Sequence, residues 1–349
     1  MSEVTAKAQA GLMSAEALPR LIEALADRYQ VVGPVAKGAD VRFDYIRSPE
    51  DVKLLYSHTV LSPKKFFHRP VELLFTARRD QKFDAKTTTT LEKPFAVIGI
   101  HPCDLAALRL LDRAFEEGPY KDPIYVERRT GTFIVAVNCT LPCDKGFCAS
   151  MGTGPGAEDG YDLAITDIED GYLVEVGSEA GERIFNKLEL EPANDQDFSV
   201  KSYVLERTAS QLRKRLDTTN LPSILDEQFD HPLWNELKER CLGCANCTMV
   251  CPTCFCYDVA DQIDLSLKNV ERVRSWDSCL LMQFAEVHGG NFRKGRDARV
   301  KQWIYHKLNY WVSQQGTFGC VGCGRCIRWC PASIDITDVV ARLRAEAEA

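Results

Sequence analysis

The sequence lacks any apolar run close to the about eighteen residues that a membrane-spanning helix needs, so we predict no membrane span. Its basic residues are scattered among acidic ones and its net charge is -7, which argues against a nucleic-acid-binding surface. The segment MSEVTAKAQAGLMSAEALPRL has neither the apolar core nor the cleavage site of a secretion signal. We therefore expect a cytoplasmic protein whose cysteines stay reduced.

The motifs of nucleotide-binding and hydrolytic enzymes are also missing. There is no P-loop, no nucleophile elbow and no HExxH, and no G-x-G-x-x-G lies between a predicted strand and a predicted helix. The glycines of MGTGPGAEDG have the wrong spacing and follow no strand directly. The sequence predicts no catalytic residue and no cofactor-binding residue besides metal ligands. Whether the chain is an enzyme by itself stays open.

The N-terminal part has the pattern of an α/β domain. One face of SAEALPRLIEALADRY is apolar, which predicts a first helix. The apolar runs FAVIGI and FIVAV predict buried strands, and DLAALRLLDRAF predicts the helix that connects them, so these strands should be parallel neighbours. LAITDI and GYLVEVG predict a hairpin in the same domain.

Length and composition predict two or three domains. The chain has 349 residues, of which 45% are apolar, so it can bury a sizeable core. A polar stretch at residues 188–202 marks a boundary, and LERTASQLRKRL then predicts a charged helix. We predict an α/β domain over residues 1–200, a helical linker over 201–230 and an α-helical ferredoxin-type dicluster domain over 231–349, α+β overall.

Cysteine is the most unusual component of the sequence, with fifteen residues. Eight of them form two runs, CLGCANCTMVCP and CVGCGRCIRWCP, each with the spacing C-x2-C-x2-C-x3-C-P. In two-cluster ferredoxins, three cysteines of such a run hold one [4Fe-4S] cube and the fourth crosses to the other cube. Gly243, Gly322 and Gly324 let backbone N–H groups approach the sulfurs.

This spacing assigns four cysteines to each of two [4Fe-4S] clusters. The ligands are Cys241, Cys244, Cys247 and Cys330 for cluster one, and Cys320, Cys323, Cys326 and Cys251 for cluster two. A pair of zinc sites is the alternative, but zinc sites usually contain paired C-x2-C units. The third cysteine and the closing Cys-Pro favour iron–sulfur clusters. Clusters with four cysteine ligands transfer electrons and offer no open position for a substrate.

Basic residues in the second run predict a difference in reduction potential. Arg325 and Arg328 lie within that run, whereas only neutral residues separate the cysteines of the first run. Because positive charge stabilises an added electron, we predict that cluster two has the higher potential.

The segment between the runs, residues 252–319, is longer than a compact ferredoxin needs. Apolar residues with helical spacing predict that it adds helices. They are Val300, Trp303, Ile304, Leu308 and Trp311. These helices would give partner subunits more surface.

Four of the remaining cysteines should lie close together. Cys103 follows FAVIGI and Cys139 follows FIVAV, so both should lie at the carboxyl edge of the sheet. Cys143 and Cys148 follow in the next loop. Together the four cysteines could hold a third iron–sulfur cluster. Buried free thiols are an equally weighted alternative.

Two residues beside Cys103 have predicted roles. Asp104 is placed to cap the helix that begins there, and the N-terminus of this helix favours the thiolate of Cys103. His101 is a candidate substitute ligand, although a lone histidine is more often a hydrogen-bonded structural residue.

Cys254, Cys256 and Cys279 form a last group, in CPTCFC and RSWDSC. No fourth ligand accompanies them in the sequence. We therefore favour packing around the clusters over a further metal site.

Several motifs together resemble a known family, from about residue 30 to residue 345. They are LSPKKFFHRPVELLF, IGIHPCD, FCASMGTG, HPLW, CPTCFC, RSWDSC, GGNFR and CVGCGRC. This combination resembles the β subunit of cytosolic NiFe hydrogenases of the sulfhydrogenase type, to which the A subunit of anaerobic sulfite reductase is related. The eight cysteines of the runs match the family's ligands. Cys103, Cys139 and Cys148 also match family positions, whereas in relatives the additional cysteine of this loop lies nearer the FC pair than Cys143 does.

The resemblance implies an iron–sulfur electron-transfer subunit of a soluble NAD(P)-linked NiFe hydrogenase. Its implied partners are an FAD- and NAD(P)-binding iron–sulfur subunit and the small and large NiFe hydrogenase subunits, in a hetero-oligomer. The alternative is the electron-transfer A subunit of an anaerobic sulfite reductase, beside a sirohaem subunit. A cluster-based sensor is disfavoured because no DNA-binding element is present. Sulfur or polysulfide reduction by the chain itself would need a reactive thiol, for which Cys143 is the candidate.

Overall fold

The fold is that of a computed structural model, which describes residues 9–78, 86–87, 91–169 and 171–347. Its strands are β1 (Ala10–Met13), β2 (Gln30–Lys37), β3 (Asp40–Tyr45), β4 (Val71–Arg78), β5 (Lys86–Thr87), β6 (Phe95–Ile100), β7 (Phe133–Val137), β8 (Leu163–Asp167), β9 (Tyr172–Val176), β10 (Glu191–Pro192), β11 (Tyr257–Ile263), β12 (Asn269–Trp276), β13 (Glu286–Val287) and β14 (Gly290–Asn291).

The α-helices lie between these strands and around the cysteine runs. They are α1 (Leu18–Ala26), α2 (Lys64–Phe67), α3 (Pro102–Phe115), α4 (Pro123–Arg129), α5 (Glu179–Leu188), α6 (Asp195–Gln211), α7 (Leu221–Glu227), α8 (Leu233–Arg240), α9 (Asn246–Met249), α10 (Arg296–Tyr305), α11 (Trp311–Gln315), α12 (Arg325–Arg328) and α13 (Ile336–Ala347). Turns of 3-10 helix occur at Ala15–Ala17, Pro49–Asp51, Cys148–Met151 and Gln283–Ala285, and a π-helical turn at His306–Tyr310.

The N-terminal half is built on a mixed sheet with the strand order β10-β1-β9-β8-β7-β6-β2-β3. The central strands β2, β6, β7 and β8 are parallel to one another. FAVIGI and FIVAV form the adjacent strands β6 and β7, and β8 and β9 form an antiparallel hairpin. The predicted parallel pair and the predicted hairpin are both confirmed.

Helices cover both faces of this sheet, which explains why its central strands are apolar throughout. α1 and α5 pack on one face through residues such as Leu25 and Phe185. α2, α3 and α4 pack on the other face through residues such as Phe67, Leu108 and Tyr125. All residues of β6 and β7 are buried as a result. The layers hold the carboxyl ends of these two strands in place.

The C-terminal part is largely helical and surrounds the cysteine runs. Leu225 of α7, Leu237 of α8, Ile304 of α10 and Leu343 of α13 share one core. The apolar positions that predict helices here are buried in α10, the π-helical turn and α11. The fold is therefore an α/β part followed by a helical part, as predicted. No helix in the described ranges is long and apolar enough to cross a bilayer.

The first part of the segment between the runs is a hairpin of β11 and β12. Leu267, with a φ of 56°, lies in the connection. The helical spacing around Trp303 predicts helices for this segment and does not predict the hairpin. β12 also pairs with β4 from the N-terminal half. This pairing joins the two halves, and the domain bounds stay a prediction.

Candidate metal centres

The first group of cysteines contains those predicted for cluster one. Cys241, Cys244 and Cys247 of the first run line one cavity together with Cys330 of the second run. Burial, with a contribution from Cys241 and Cys330, raises the pKa of Cys247 above its usual range. Cys244 is exposed, so the first group reaches the surface. Cys330 lies beside the first run, as the crossed assignment requires.

The second group contains the cysteines predicted for cluster two. Cys320, Cys323 and Cys326 belong to the second run, and Cys251 approaches them from the first. Burial raises the pKa of Cys320 to about 12 and that of Cys323 to about 11, and Cys251 adds to both increases. Burial and these neighbours also raise the pKa of Cys326. Such thiols become thiolates when a metal compensates for their charge, so the second group suits metal binding.

Both runs fold in the same way. Each begins as a loop and continues as one helical turn, α9 in the first run and α12 in the second. The residues before these turns, Ala245 and Gly324, have φ values of 63° and 73°. The third cysteine of each run lies in the turn and the fourth follows it. This local geometry separates the fourth cysteine from the other three.

Backbone N–H groups approach sulfur atoms in both runs, as predicted for Gly243 and Gly322. The N–H of Gly243 donates to Sγ of Cys241, and the N–H of Gly322 donates to Sγ of Cys320, both at 3.4 Å. Hydrogen bonds of this kind lower the energy of a thiolate. They also tune the potential of any cluster bound there.

Within the described ranges, no three His, Cys, Asp or Glu side chains are close enough to bind a single metal ion. A tetrahedral zinc site holds its sulfurs about 3.8 Å apart, because each lies about 2.3 Å from the ion. In a [4Fe-4S] cube each thiolate binds a different iron, so the sulfurs are spaced more widely.

The third group lies at the carboxyl edge of the large sheet. Cys103, Cys139, Cys143 and Cys148 line one cavity, to which Cys323 of the second group also contributes. Cys103 lies in the first turn of α3, and Cys139 lies two residues beyond β7. The thiol of Cys143 donates to a backbone carbonyl, and Cys148 begins a 3-10 turn. The topology thus brings together the four cysteines that the sequence predicts to lie close together at this edge.

His101 lines the same cavity but is held by an aromatic contact. Its ring stacks on Tyr56 with 3.8 Å between the ring centroids. Burial lowers the pKa of His101 to about 3, with a smaller contribution from Arg325. The imidazole is therefore neutral near pH 7, the form that can bind a metal.

The loop of the third group packs directly against the second run. The N–H of Phe147 donates to the carbonyl of Gly322 at 2.7 Å. A Cβ on Gly324 would clash with the carbonyl oxygen of Lys145, and one on Gly322 would lie 2.7 Å from the backbone N of Cys148. These two glycines are therefore required for the close approach of the loop.

A buried ion pair joins α3 to the second run. The guanidinium of Arg325 binds both carboxylate oxygens of Asp104, at 2.6 and 2.7 Å, and also binds the carbonyl and hydroxyl of Thr59. The sequence predicts that Asp104 caps α3, but the structure contains no such cap. The carboxylate of Asp104 binds Arg325 instead. Arg328 pairs with Asp144 at 2.6 Å. Both arginines have carboxylate partners, so neither supplies the uncompensated charge on which the predicted difference in potential was based.

Cys254, Cys256 and Cys279 lie beside the second group. The thiol of Cys254 donates to the sulfur of Cys251, and this hydrogen bond lowers the pKa of Cys251. The thiol of Cys279 donates to Cys256 and lowers its pKa to about 7. These contacts are compatible with packing around the clusters.

Two lysines are buried beside the loop that contains Cys251. Lys64 and Lys307 are only 4% and 2% exposed. The Nζ of Lys64 donates to the carbonyl oxygens of Cys251 and Cys254, at 3.0 and 2.9 Å. The Nζ of Lys307 donates to the carbonyl and hydroxyl of Thr253, at 3.2 and 2.7 Å. These lysines were not among the predicted site residues.

The sequence pattern alone could have identified Lys307 as an unusual residue. It lies on the same helical face as Trp303, Ile304, Leu308 and Trp311, where a charged residue is out of place. For Lys64 the sequence pattern contains no comparable signal, apart from the motif LSPKKFFHRP.

Comparisons with known proteins identify the kind of domain that contains the two cysteine runs. The family model of the 4Fe-4S dicluster domain matches residues 240–334, which include both cysteine runs. The sulfhydrogenase 2 subunit beta of Pyrococcus furiosus is 36% identical over 335 residues, covering 95% of this chain and 97% of that protein. No solved structure matches. Residues 240–334 thus form a 4Fe-4S dicluster domain, which gives the chain an iron–sulfur electron-transfer role.

Proposed function

Because this chain belongs to the family of sulfhydrogenase β subunits, we propose that it is the iron–sulfur electron-transfer subunit of an NAD(P)-linked NiFe hydrogenase. It would work in the cytoplasm, between an FAD- and NAD(P)-binding subunit and the small and large NiFe subunits. It has no substrate site of its own in this proposal.

The contiguity of three cysteine groups is the observation that carries the proposal. Cys323 belongs to the second group and also lines the cavity of the third. Cys326 belongs to the second group and also lines the cavity of the first. Clusters held by the three groups would pass single electrons through the chain.

Exposed residues lie at the first group and beside the third group. In the first group Cys244 is exposed, and the adjacent Leu242 is 63% exposed. Beside the third group, Leu141 is 46% exposed. An exposed apolar residue beside a ligand suits contact with a partner that excludes water from the cluster. The first and third groups therefore offer two places where partner subunits could exchange electrons with this chain.

We propose that the third group holds a third cluster. Cys103, Cys139, Cys143 and Cys148 share one cavity at the sheet edge, as an iron–sulfur site needs. Burial raises the pKa of Cys143 to about 12, so a neutral thiol is its metal-free state. Metal binding would compensate for this cost in the same way as in the other two groups.

Iron and sulfide analysis of anaerobically prepared protein tests the third cluster. We expect about twelve iron atoms per chain, because three cubes of four irons are bound. Cys103→Ala and Cys139→Ala should each reduce this to about eight, since either change removes a ligand of one cube. Cys279→Ala, a buried cysteine outside the three groups, is the matched control and should retain all the iron. About eight irons in the unchanged protein would mean that the third group consists of free thiols.

Anaerobic purification of the tagged chain from its native cells tests the partners. We expect nickel and FAD to co-purify with it, because the proposed complex contains both. The untagged strain is the control for non-specific retention. Sirohaem without nickel would instead indicate an anaerobic sulfite reductase. Zinc without inorganic sulfide would contradict the electron-transfer role itself.

A further inference from the structure

Lys64 and Lys307 have unusual surroundings for buried cations. Among the residues that the structure describes, neither forms an ion pair with a carboxylate, and their hydrogen bonds go to neutral oxygens. Burying an ammonium group is costly unless a negative charge compensates for it. The nearby groups able to carry such a charge are sulfur atoms, including those of Cys251 and Cys254 for both lysines.

The two lysines converge from separate parts of the fold. Lys64 begins α2 in the N-terminal half, and its Nζ also lies 3.9 Å from the centroid of the Trp276 ring. Lys307 is in the π-helical turn between α10 and α11. Such turns are rare in proteins, and many of those that occur are at functional sites. Both ammonium groups reach the short loop from Cys251 to Cys254. Lys307 also lies within electrostatic reach of Cys320.

A cube bound by the second group would provide the missing negative charge. Four thiolates give a [4Fe-4S] cube a net negative charge, and reduction adds one more. A fixed cation nearby favours the more negative, reduced state. Arg325 cannot fill this role alone, because the carboxylate of Asp104 balances its charge.

We propose that Lys64 and Lys307 are the counter-charges of the cluster held by Cys251, Cys320, Cys323 and Cys326 and that they raise its reduction potential. This inference rests on the proposed iron–sulfur function and adds which residues set the potential of cluster two. The sequence also predicts that cluster two has a higher potential than cluster one, but it attributes this difference to other charges. The responsible charges are two lysines outside the run and not the two arginines within it.

A purely structural role is the competing explanation. The lysines could simply hold the loop through hydrogen bonds to its carbonyl oxygens. Glutamine keeps an N–H donor and removes the charge, whereas arginine keeps the charge and changes the shape of the donor. Lys64→Gln, Lys307→Gln, Lys64→Arg and Lys307→Arg therefore separate charge from anchoring.

The test is a redox titration of the anaerobic full-length protein, followed by EPR, together with iron and sulfide analysis. We expect each glutamine variant to keep its iron and to shift the reduction equilibrium of cluster two at least tenfold towards the oxidised state. For a one-electron couple this is a fall of about 59 mV or more. The arginine variants should stay near the potential of the unchanged protein. Cluster one should shift less in every variant.

The remaining outcomes are also decisive. Loss of cluster two in the glutamine variants but not in the arginine variants would support the inference, because the cluster would then need the charge to bind. Equal potentials in all variants with full iron content would overturn it and leave the electron-transfer function intact. Equal damage by glutamine and arginine would assign the lysines to anchoring. If the protein contained neither iron nor sulfide, the proposed electron-transfer function itself would be contradicted.

Discussion

Cys251→Ala is expected to remove the cluster held by the second run, although Cys251 itself belongs to the first run. Its sulfur lies with those of Cys320, Cys323 and Cys326, and it contributes to the raised pKa of each. A cube that loses one of its four thiolates has an iron open to solvent, so it should be lost or degraded. We expect about four irons fewer per chain. Mössbauer and EPR spectra of the anaerobic protein should show cluster one unchanged.

The reciprocal variant makes this prediction sharper. Cys330→Ala should remove cluster one and leave cluster two, because Cys330 lines the cavity of Cys241, Cys244 and Cys247. Cys279→Ala is again the control for loss of a buried thiol without loss of a ligand. If Cys251→Ala instead removes the cluster of its own run, the fourth cysteines do not cross and the assignment of both clusters is wrong.

Arg325→Met is expected to cause the largest loss of folding stability. The side chains of Arg325 and Asp104 are 4% and 0% exposed, and their two hydrogen bonds join the second run to α3. Removing the arginine leaves a buried carboxylate without a partner, which costs about 3–5 kcal/mol. Anaerobic denaturant unfolding of the iron-loaded protein should show a decrease of this size in the free energy of unfolding.

Arg328→Met is the matched control for this effect. Arg328 lies in the same run and also pairs with a carboxylate, but its partner Asp144 is 53% exposed. Exposed ion pairs contribute at most about 1 kcal/mol, so this variant should unfold nearly like the unchanged protein. Adding Asp104→Leu to Arg325→Met should recover part of the lost stability, because the unpaired charge is then gone. Similar losses for Arg325→Met and Arg328→Met would show that the buried pair has no special role.

Much of the fold could be predicted because its signals are local. FAVIGI and FIVAV are apolar at every position, as strands buried on both faces must be, and they form β6 and β7. The β11–β12 hairpin was missed because most of its residues are exposed and its partner strand β4 lies about two hundred residues away in the chain. Pairing over that separation leaves no mark in either segment alone.

Asp104 shows the same limit at the level of a single residue. Its position in the first turn of α3 predicts a helix cap, which is a local role. The structure assigns its carboxylate to Arg325, more than two hundred positions further on. Lys307 is a partial exception, because a lysine on an apolar helical face is visible in the sequence. Its contact with the loop from Cys251 to Cys254 is not visible in the sequence.

The sequence by itself determined the cluster chemistry of this protein, because the reach of neighbouring thiolates depends on how many residues separate them. The two runs of cysteines specify this spacing without reference to the rest of the chain. Only the tertiary structure showed that the four cysteines predicted for the third group line one cavity, and only it decided which cations lie beside the second group. Parallel strands bring Cys103 and Cys139 to one sheet edge, and two distant elements bury Lys64 and Lys307 against one loop. Charge and proximity act through space, so residues far apart in sequence can share one site.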